Sequence, residues 1–437
     1  MREVDDRVRR GARPSDAELE HKAHIKRARV QALNESRNEA HREAERSAHD
    51  LHRAALDELD ESHYQISACG KLRYAVPYAF GYRTNCKRRW VGRELADVFA
   101  EELGGEGHDR EYWLNEVRCG RILIRGAVVT QLPLVLSDPD WVVHLAHRHE
   151  GAVLNIPIGI VYEDEHLLVV DKPASVPAHP CGRYRKNSLS FLLHLQRKQK
   201  DPCADVAVKS STTELRGVHR LDRLTSGILI LAKDAETAKQ LTQQIVDGLV
   251  RKKYLARVAG RFGGVEQAQV ECTLPLNYDA RSCRAHVDTV QGKPARTTFV
   301  VRRYSAERDY SIVECTPFTG RTHQIRVHLQ ALGHPIINDP LYADAATHAK
   351  YACENAQLGP GGAEPEQSEP LCSEAVLQEG KTLGCLVCPA MQQAVAERVN
   401  SKHQFHIDLH ALEYILQDRR AFRTEEPTWS LDTNKRK

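Results

Sequence analysis

One carboxylate in this sequence lies between two arginines, just before an apolar run. Asp222 stands in 219-HRLDRLTSG-227, flanked by Arg220 and Arg223, and ILILA follows at 228–232. The pattern predicts a polar turn that leads into a buried strand, and reactive side chains are often mounted on loops that a rigid sheet braces. Neighbouring guanidinium groups favour the ionised form of a carboxyl group. Such an aspartate can be a nucleophile, a general base or a structural ion-pair partner, and these residues alone favour the ion pair.

Further motifs change this interpretation. HRLD, then two residues, then TSG resembles the signature of the RluA-type pseudouridine synthases. Ordered motifs of this length, which together span about residues 155–415, are not expected to arise by chance. The other segments that match the family, in its order, are 171-DKPASVPAHP-180, 253-KYLARV-258, 292-GKPARTTF-299, 319-TGRTHQIRVHLQALGHPIINDPLY-342 and 409-LHALEY-414.

The resemblance implies a reaction and a role for four residues. Members of this family detach uracil from its ribose at N1, turn it and rejoin it through C5. Asp222 matches the catalytic aspartate, and Tyr254 matches the tyrosine that stacks on the target uracil and can assist proton removal. Arg321 matches the arginine that pairs with the aspartate inside the site, and Arg220 matches an arginine that contacts RNA near the flipped nucleotide. Taken singly, Tyr254 would be read as a packing residue and Arg321 as a solvated surface residue.

The same region supplies the expected RNA contacts. A base within folded RNA must be flipped into a pocket, and such pockets combine an aromatic platform with basic contacts to the backbone. Tyr254 can be the platform. The residues expected to bind the substrate are Arg220, His219, Arg223, Lys253 and Thr225, and Arg251 and Lys252 can also meet phosphates.

We expect no cofactor, because the chain lacks P-loop and dinucleotide fingerprints and the family's reaction needs no redox step, phosphate transfer or metal activation. His219, His323 and His328 have no carboxylate or cysteine set at ligand spacing around them, so we predict no metal there. A weaker alternative is half of a structural zinc site in 384-GCLVCP-389. The four cysteines that could form such a site are Cys353, Cys372, Cys385 and Cys388.

Strand patterns dominate after about residue 155 and must position these motifs. They alternate with few, irregularly placed helices, which predicts an α+β fold with a mixed, mainly antiparallel sheet. One helix is predicted over 234–250 with Asp234 as its N-cap, and another over 322–332, closed by Gly333. A strand is predicted within 405–416.

The sequence divides into four regions. Residues 1–63 are highly charged and contain no aromatic residue, which predicts a helical or disordered tail, or alternatively an RNA-contacting arm. Residues 64–150 resemble a degenerate S4-like RNA-binding subdomain, with a small capping subdomain as the alternative. Residues 151–420 should form the catalytic domain, interrupted by a cysteine-containing insertion at 353–400, and 421–437 should be a C-terminal tail.

Composition restricts location and class. No stretch approaches the roughly 20 apolar residues that span a bilayer, so no membrane segment is expected. The twelve cysteines lack the dense spacing of a disulfide scaffold and no secretory signal is apparent, which favours an intracellular protein of the cytoplasm or nucleus and leaves the mitochondrion open. The 62 basic and 59 acidic residues give a net charge of +3, which does not argue against RNA binding through a local basic face.

Features before the catalytic region indicate a branch of the family. The segments 87-KRRWVGRELADVF-99 and 147-HRHE-150 resemble the eukaryotic tRNA pseudouridine synthases. We therefore expect a monomeric enzyme that modifies a tRNA uridine, with the anticodon stem-loop favoured. The alternatives are the same chemistry on mRNA or rRNA, or a non-catalytic RNA-binding protein of the same fold.

Overall fold

The computed structural model describes residues 58–104, 108–138, 140–200, 215–264, 267–280, 282–351, 378–379, 385 and 405–431. The chain divides into two compact units, one formed by residues 1–58 and 83–143 and the other by 59–82 and 144–437. Within the described part, no helix is long and apolar enough to cross a membrane.

Strands make up most of the regular structure. In the described part of the chain they are β1 Tyr64–Ile66, β2 Leu72–Ala75, β3 Tyr78–Asn85, β4 Ile122–Ile124, β5 Ala127–Val128, β6 Trp141–Arg148, β7 Val153–Leu154, β8 Gly159–Glu163, β9 Leu167–Lys172, β10 Arg216–Gly217, β11 Ser226–Ala232, β12 Arg251–Ala259, β13 Gln269–Cys272, β14 Leu276–Asp279, β15 Arg284–Val287, β16 Thr297–Ser305, β17 Tyr310–Pro317, β18 Leu409–Ile415 and β19 Ala421–Arg423.

The helices are fewer and short. The α-helices of the described residues are α1 Leu95–Glu102, α2 Arg110–Arg118, α3 Leu189–Lys200, α4 Ala235–Val246, α5 Gln324–Ala331 and α6 Ala345–Lys350. Single 3₁₀ turns occur at Glu61–His63, Arg88–Trp90 and Thr428–Ser430.

A ten-stranded sheet organises the larger unit. Its path runs β13-β16-β17-β12-β18-β11-β9-β8, with β10 added to β11 and β19 added to β18. Adjacent strands are antiparallel except β11 and β18, which are parallel. The predicted α+β class with a mixed, mainly antiparallel sheet is therefore confirmed.

The apolar run at 228–232 forms most of β11 and lies inside this sheet. None of its five side chains is more than 5% exposed. Leu229 pairs with Val170 of β9, and the register continues to Ala232 opposite Leu167. Complete burial of the run explains why it shows no polar alternation, and it gives the preceding Asp222 turn a rigid base.

Local signals correctly predicted two of the helices. The side chain of Asp234 accepts a hydrogen bond from Thr237 N at 2.7 Å and so caps α4. The second predicted helix, α5, ends shortly before Gly333, whose φ of +83° suits a residue without a Cβ.

The smaller unit contains helices α1 and α2 and a short hairpin. Trp90, Phe99 and Trp113 lie at the centre of its apolar core, between α1 and α2. β4 and β5 form its hairpin. Leu103 follows the end of α1 at Glu102 and is 43% exposed.

The boundaries of the predicted subdomain differ from those observed. Residues 64–82 and 144–150 belong to the larger unit, because β2 pairs with β7 and the Tyr64 hydroxyl donates to Lys186 O at 2.7 Å. The predicted C-terminal tail also differs, since β19 pairs with β18 and Phe422 is buried. The predicted tail at 1–63, apart from its last six residues, and most of the 353–400 insertion lie outside the described residues.

Candidate active site

The Asp222 turn lies between β10 and β11, and a buried lysine holds it through hydrogen bonds. Thr225 N donates to Asp222 O at 3.1 Å and closes the turn. Lys172, at the end of β9, is fully buried, and its Nζ donates to the carbonyl oxygens of Pro173 at 2.9 Å, Val176 at 2.8 Å and Arg223 at 3.3 Å. Burial lowers the pKa of Lys172 to about 7, although the charge of Asp222 opposes this shift.

The glycine of the TSG segment lets β11 approach β18 closely. Gly227 has a φ of +110°, and a Cβ on it would lie 2.3 Å from Ala411 O and 2.6 Å from Ala411 N. Because these are backbone atoms of a buried strand, a side chain could be accommodated only by separating the two strands. The position of the Asp222 turn on the sheet therefore depends on this residue.

Arg326 of α5 joins two carboxylates. Its Nη1 donates to Asp222 Oδ2 at 3.0 Å, while Nε and Nη2 donate to the two oxygens of Asp339 at 2.6 and 2.8 Å. The Arg326 side chain is 3% exposed, that of Asp339 is fully buried and that of Asp222 is 22% exposed. The arrangement directs Asp222 outwards while its partner stays inside the protein.

The prediction that Arg321 pairs with Asp222 is wrong. Arg321 precedes α5, is exposed, and its Nε donates to Pro294 O at 3.0 Å. Arg326 lies within the helix on a buried face, so its guanidinium group can reach Asp222 and Asp339. Burial by itself lowers the pKa of Arg326, but its bonds to Asp339 and the two carboxylate charges outweigh burial and raise it.

His323 forms the other side of the Asp222 carboxylate. Its Nε2 lies 3.6 Å from Asp222 Oδ2, and its Nδ1 lies 2.7 Å from the Tyr342 hydroxyl. That hydroxyl also accepts the N–H of Ala285 at 2.9 Å. Burial lowers the pKa of His323, which favours a neutral ring beside Asp222.

Tyr254, on β12, completes the group. Its hydroxyl lies 2.5 Å from the Tyr414 hydroxyl, and the Tyr414 ring stacks on His219 with a centroid distance of 4.9 Å. Burial, with a smaller contribution from the nearby charge of Asp222, raises the pKa of Tyr254 to about 12. The β12–β18 register shifts between Lys253 and Tyr254, and this irregularity sets where the ring lies on the sheet.

Comparison with known proteins identifies the family. The family model described as RNA pseudouridylate synthase matches residues 166–331, which include Asp222, Tyr254 and Arg326. The tRNA pseudouridine(31) synthase of Saccharomyces cerevisiae is 33% identical over 313 residues, 63% of this chain and 73% of that protein. The dual-specificity RNA pseudouridine synthase RluA of Vibrio parahaemolyticus is 38% identical over 203 residues, 46% of this chain and 74% of that protein. This chain belongs to the RluA-type RNA pseudouridylate synthase family.

A longer relative is also similar. Pseudouridylate synthase RPUSD2 of Homo sapiens is 41% identical over 309 residues, 71% of this chain and 52% of that protein. The chain thus spans about half the length of this relative. The eukaryotic relatives agree with the branch that the sequence predicted.

The residues of this chain that were predicted to contact RNA have different surroundings. Arg220 is exposed, and its charge contributes, after burial, to the lowered pKa of His179. The Arg223 guanidinium lies over the Tyr184 ring at 5.3 Å. Lys253 lies between two carboxylates, 3.5 Å from Glu314 and 3.8 Å from Glu413, which reduces its positive field.

Two other residues that were predicted to contact RNA, Thr225 and His219, have structural roles. Thr225 is 2% exposed and closes the Asp222 turn through its backbone, so its side chain does not face solvent. His219 Nε2 accepts the N–H of Ile230 at 3.1 Å, and burial lowers the pKa of His219 to about 3. Both residues therefore support the turn and the tyrosine pair in the structure, and their contact with RNA stays a prediction.

Sequence reasoning missed the roles of three residues, Arg326, Asp339 and Tyr342. A signal for Arg326 was present, since a basic residue between Ile325 and Val327 in a predicted apolar helix must find a partner when it is buried. The partner, Asp339, lies in the GHPIINDPLY segment that follows the helix. Periodicity does not show that this segment folds back onto α5.

Of the four cysteines in the insertion, one lies within the described residues. Cys353, Cys372 and Cys388 lie outside the described residues, and Cys385 lies inside them. Cys385 Sγ lies 3.2 Å from His149 Nε2, a neighbour that the four-cysteine arrangement did not include.

Proposed function

We propose that this protein converts uridine to pseudouridine in RNA, with Asp222 as the catalytic residue. The observation that carries the proposal is the Asp222 carboxylate, held by Arg326 at 3.0 Å near the buried Tyr254. Asp222, Tyr254 and Arg326 lie within the segment that matches the family model, residues 166–331. Their neighbours Asp339, Tyr342 and Tyr414 lie beyond it. The related proteins named as pseudouridine synthases support the same chemistry.

The reaction is an isomerisation and balances within the nucleotide. The bond from C1′ to N1 breaks, a bond from C1′ to C5 forms, the proton on C5 leaves and N1 gains a proton. Asp222 can attack C1′, attack C6 of the base, or promote a glycal intermediate, and each route needs an anionic carboxylate beside the base. The Arg326 guanidinium supplies a fixed positive partner, which favours that anion.

The target base must leave the RNA helix to reach Asp222. Flipping exposes the base to the pocket, and stacking on an aromatic ring offsets the lost base stacking. In this proposal the Tyr254 ring stacks on the base. Its hydroxyl is hydrogen-bonded to that of Tyr414, so the orientation of the ring is set before the substrate binds. Arg220 is exposed at the start of the turn, which supports its proposed contact with the RNA backbone.

A tRNA is the favoured substrate, with the anticodon stem-loop as the region modified. The support is the name of the yeast relative, a tRNA pseudouridine(31) synthase. Messenger or ribosomal RNA would use the same site chemistry and remains the alternative substrate class. The monomeric state expected from the sequence stays a prediction.

The test uses the purified full chain and RNA carrying tritium at C5 of uridine, since the reaction releases that atom. Asp222→Ala should abolish tritium release from the tRNA while its RNA affinity stays within a few-fold of wild type. The matched control, Asp418→Asn, removes a surface carboxylate paired with Arg420 at 2.7 Å and should keep full activity. Equal release by wild type and Asp222→Ala would refute the catalytic assignment, and RNA binding without release from any RNA would favour the non-catalytic alternative.

A further inference from the structure

Two histidines at the end of β6 meet a cysteine from the insertion. Each of His147, His149 and Cys385 offers one ligand atom, and these three atoms all lie within 4.8 Å of one another. His149 Nε2 is 3.2 Å from Cys385 Sγ, and the two imidazole rings have a centroid distance of 5.0 Å. The His147 side chain is fully buried, and the other two residues are partly buried.

We propose that His147, His149 and Cys385 bind a zinc ion. Zinc lies about 2.0–2.1 Å from histidine nitrogen and about 2.3 Å from thiolate sulfur, so two tetrahedral ligands are separated by about 3.3–3.6 Å. The observed spacing of 3.2 Å between His149 Nε2 and Cys385 Sγ is close to that range. All three ligand atoms lie within 4.8 Å of one another, so a small movement of the side chains would bring them to the spacing that zinc requires. Imidazole and thiolate are the ligands that structural zinc sites use.

The backbone that carries the two histidines is rigid. Residues 147 and 149 are two positions apart on an extended segment, so their side chains project from the same face. The next residue, Glu150, accepts the backbone N–H groups of Arg185, Lys186 and Asn187 at 2.8–2.9 Å. Its other bond comes from the Tyr78 hydroxyl at 2.7 Å. A segment held by four hydrogen bonds loses little conformational freedom when it binds a metal ion.

Nearby charge also suits a cation. The Glu379 carboxylate lies 3.3 Å from His147 Nε2, where it can stabilise a positively charged site. Zinc at this position would connect the insertion to the end of β6 by metal–ligand bonds, so its role is structural. The site does not include the Asp222 machinery, and the proposal is independent of the reaction catalysed there.

The spacing of cysteines in the insertion offers a competing zinc site. In the sequence Cys388 follows Cys385 by three positions, a spacing at which two thiolates can bind one zinc ion, and Cys388 lies outside the described residues. A site built from cysteines of the insertion alone is thus the competing arrangement. It predicts that zinc binding survives the loss of His149.

The experiment measures zinc bound to the purified full chain after dialysis and its affinity in competition with a chelator. Wild type should retain about one zinc ion per chain. His149→Ala and Cys385→Ser should weaken binding by more than about tenfold, because even the loss of an outer-shell partner of a metal ligand costs 10–100-fold. His166→Ala and Cys283→Ser, which change an exposed histidine and an exposed cysteine elsewhere, should bind as wild type.

A second measurement separates ligation from misfolding. With cobalt(II) in place of zinc, wild type should show thiolate-to-cobalt charge transfer, and Cys385→His should lose that absorption while still binding cobalt. Equal zinc affinity in wild type, His149→Ala and Cys385→Ser would overturn the proposal. Zinc that is lost in Cys388→Ser but kept in His149→Ala would also overturn it, in favour of the site within the insertion.

Discussion

At the scale of single residues, the guanidinium of Arg326 performs a task that few other side chains can. It holds Asp339 through two nitrogens and Asp222 through the third. The three contacts use the planar fork of arginine, which a lysine ammonium cannot reproduce. The direction of the Asp222 carboxylate in the pocket is therefore set by Arg326, while Asp339 fixes Arg326 itself.

We predict that Arg326→Lys lowers the single-turnover rate of pseudouridine formation by about 100-fold, the loss expected when a reacting group is misplaced by about 1 Å. RNA affinity should change little, because Arg326 is buried. Arg321→Lys is the matched control and should lose no more than a few-fold in rate. If Arg321→Lys were the impaired variant and Arg326→Lys were active, the assignment of the Asp222 partner would be wrong.

Tyr254 gives a second prediction at this scale. Its pKa is raised to about 12, so the hydroxyl stays protonated well above the pH at which an ordinary tyrosine ionises. We therefore expect Tyr254→Phe to retain the rate within about tenfold, since an obligatory proton transfer would contribute about 10²–10⁴-fold. The measurement is the single-turnover rate between about pH 9 and 11, where an ordinary tyrosine ionises and Tyr254 should stay protonated.

Tyr414→Phe provides the comparison for Tyr254→Phe. It removes the same hydroxyl–hydroxyl bond from the other partner and leaves the Tyr254 hydroxyl intact. Similar modest losses in the two variants would support a positioning role for this bond. A large loss in Tyr254→Phe alone would instead give the Tyr254 hydroxyl a direct part in proton transfer.

At the scale of elements, the contact between β11 and β18 carries the Asp222 turn. Gly227→Ala should lower the free energy of unfolding by about 3 kcal/mol or more, because it adds both backbone strain and a clash in a packed region. The new Cβ would meet Ala411 backbone atoms at 2.3–2.8 Å. The measurement is the denaturation midpoint, together with the rate of pseudouridine formation, which should also fall.

Gly248→Ala is the control for this contact. Gly248 has a φ of +72° and no atom within 4 Å of a built Cβ, so only backbone strain is added. That strain is worth about 1–2 kcal/mol. Equal destabilisation by the two substitutions would mean that the approach of β11 to Ala411 does not position the turn.

The elements also show how far the sequence predicts this molecule. The buried strand β11, the capped helix α4 and the Asp222 turn follow from local patterns of apolar, capping and turn residues. The Asp222 partner does not, because Arg321 and Arg326 lie in one motif and the choice depends on Asp339, thirteen residues beyond Arg326. The start of the larger unit was missed for a similar reason, since the β2–β7 pairing joins segments that are distant in the sequence.

At the scale of the whole molecule, charge is nearly balanced and locally paired. The chain carries 62 basic and 59 acidic residues. In the described part of the smaller unit, ion pairs involve many of the basic residues that suggested RNA binding. These pairs are Lys87 and Arg89 with Glu102, Arg93 with Glu101, Arg110 with Glu94 and Asp97, Arg118 with Glu111, Arg121 with Glu116 and Arg125 with Asp140.

Such balance predicts that few cations contribute to the salt dependence of RNA binding. Each phosphate that a protein cation neutralises adds about 0.7–0.9 to the slope of log affinity against log salt concentration. Arg220 is exposed near Asp222, whereas Lys253 already faces Glu314 and Glu413 at 3.5 and 3.8 Å. Arg220→Gln should therefore reduce the slope by about one phosphate contact and weaken all RNA sequences alike.

Lys253→Gln is the matched change of one positive charge and should alter that slope less, because Glu314 and Glu413 lie within 4 Å of the Lys253 ammonium group. The measurement is a titration of RNA binding at several salt concentrations for wild type and both variants. Equal reductions in slope would show that Lys253 leaves its carboxylates to meet a phosphate in the complex. A slope unchanged in Arg220→Gln would show that Arg220 does not contact the RNA. The phosphates of the RNA backbone would then have to be bound by Arg223 or Arg251.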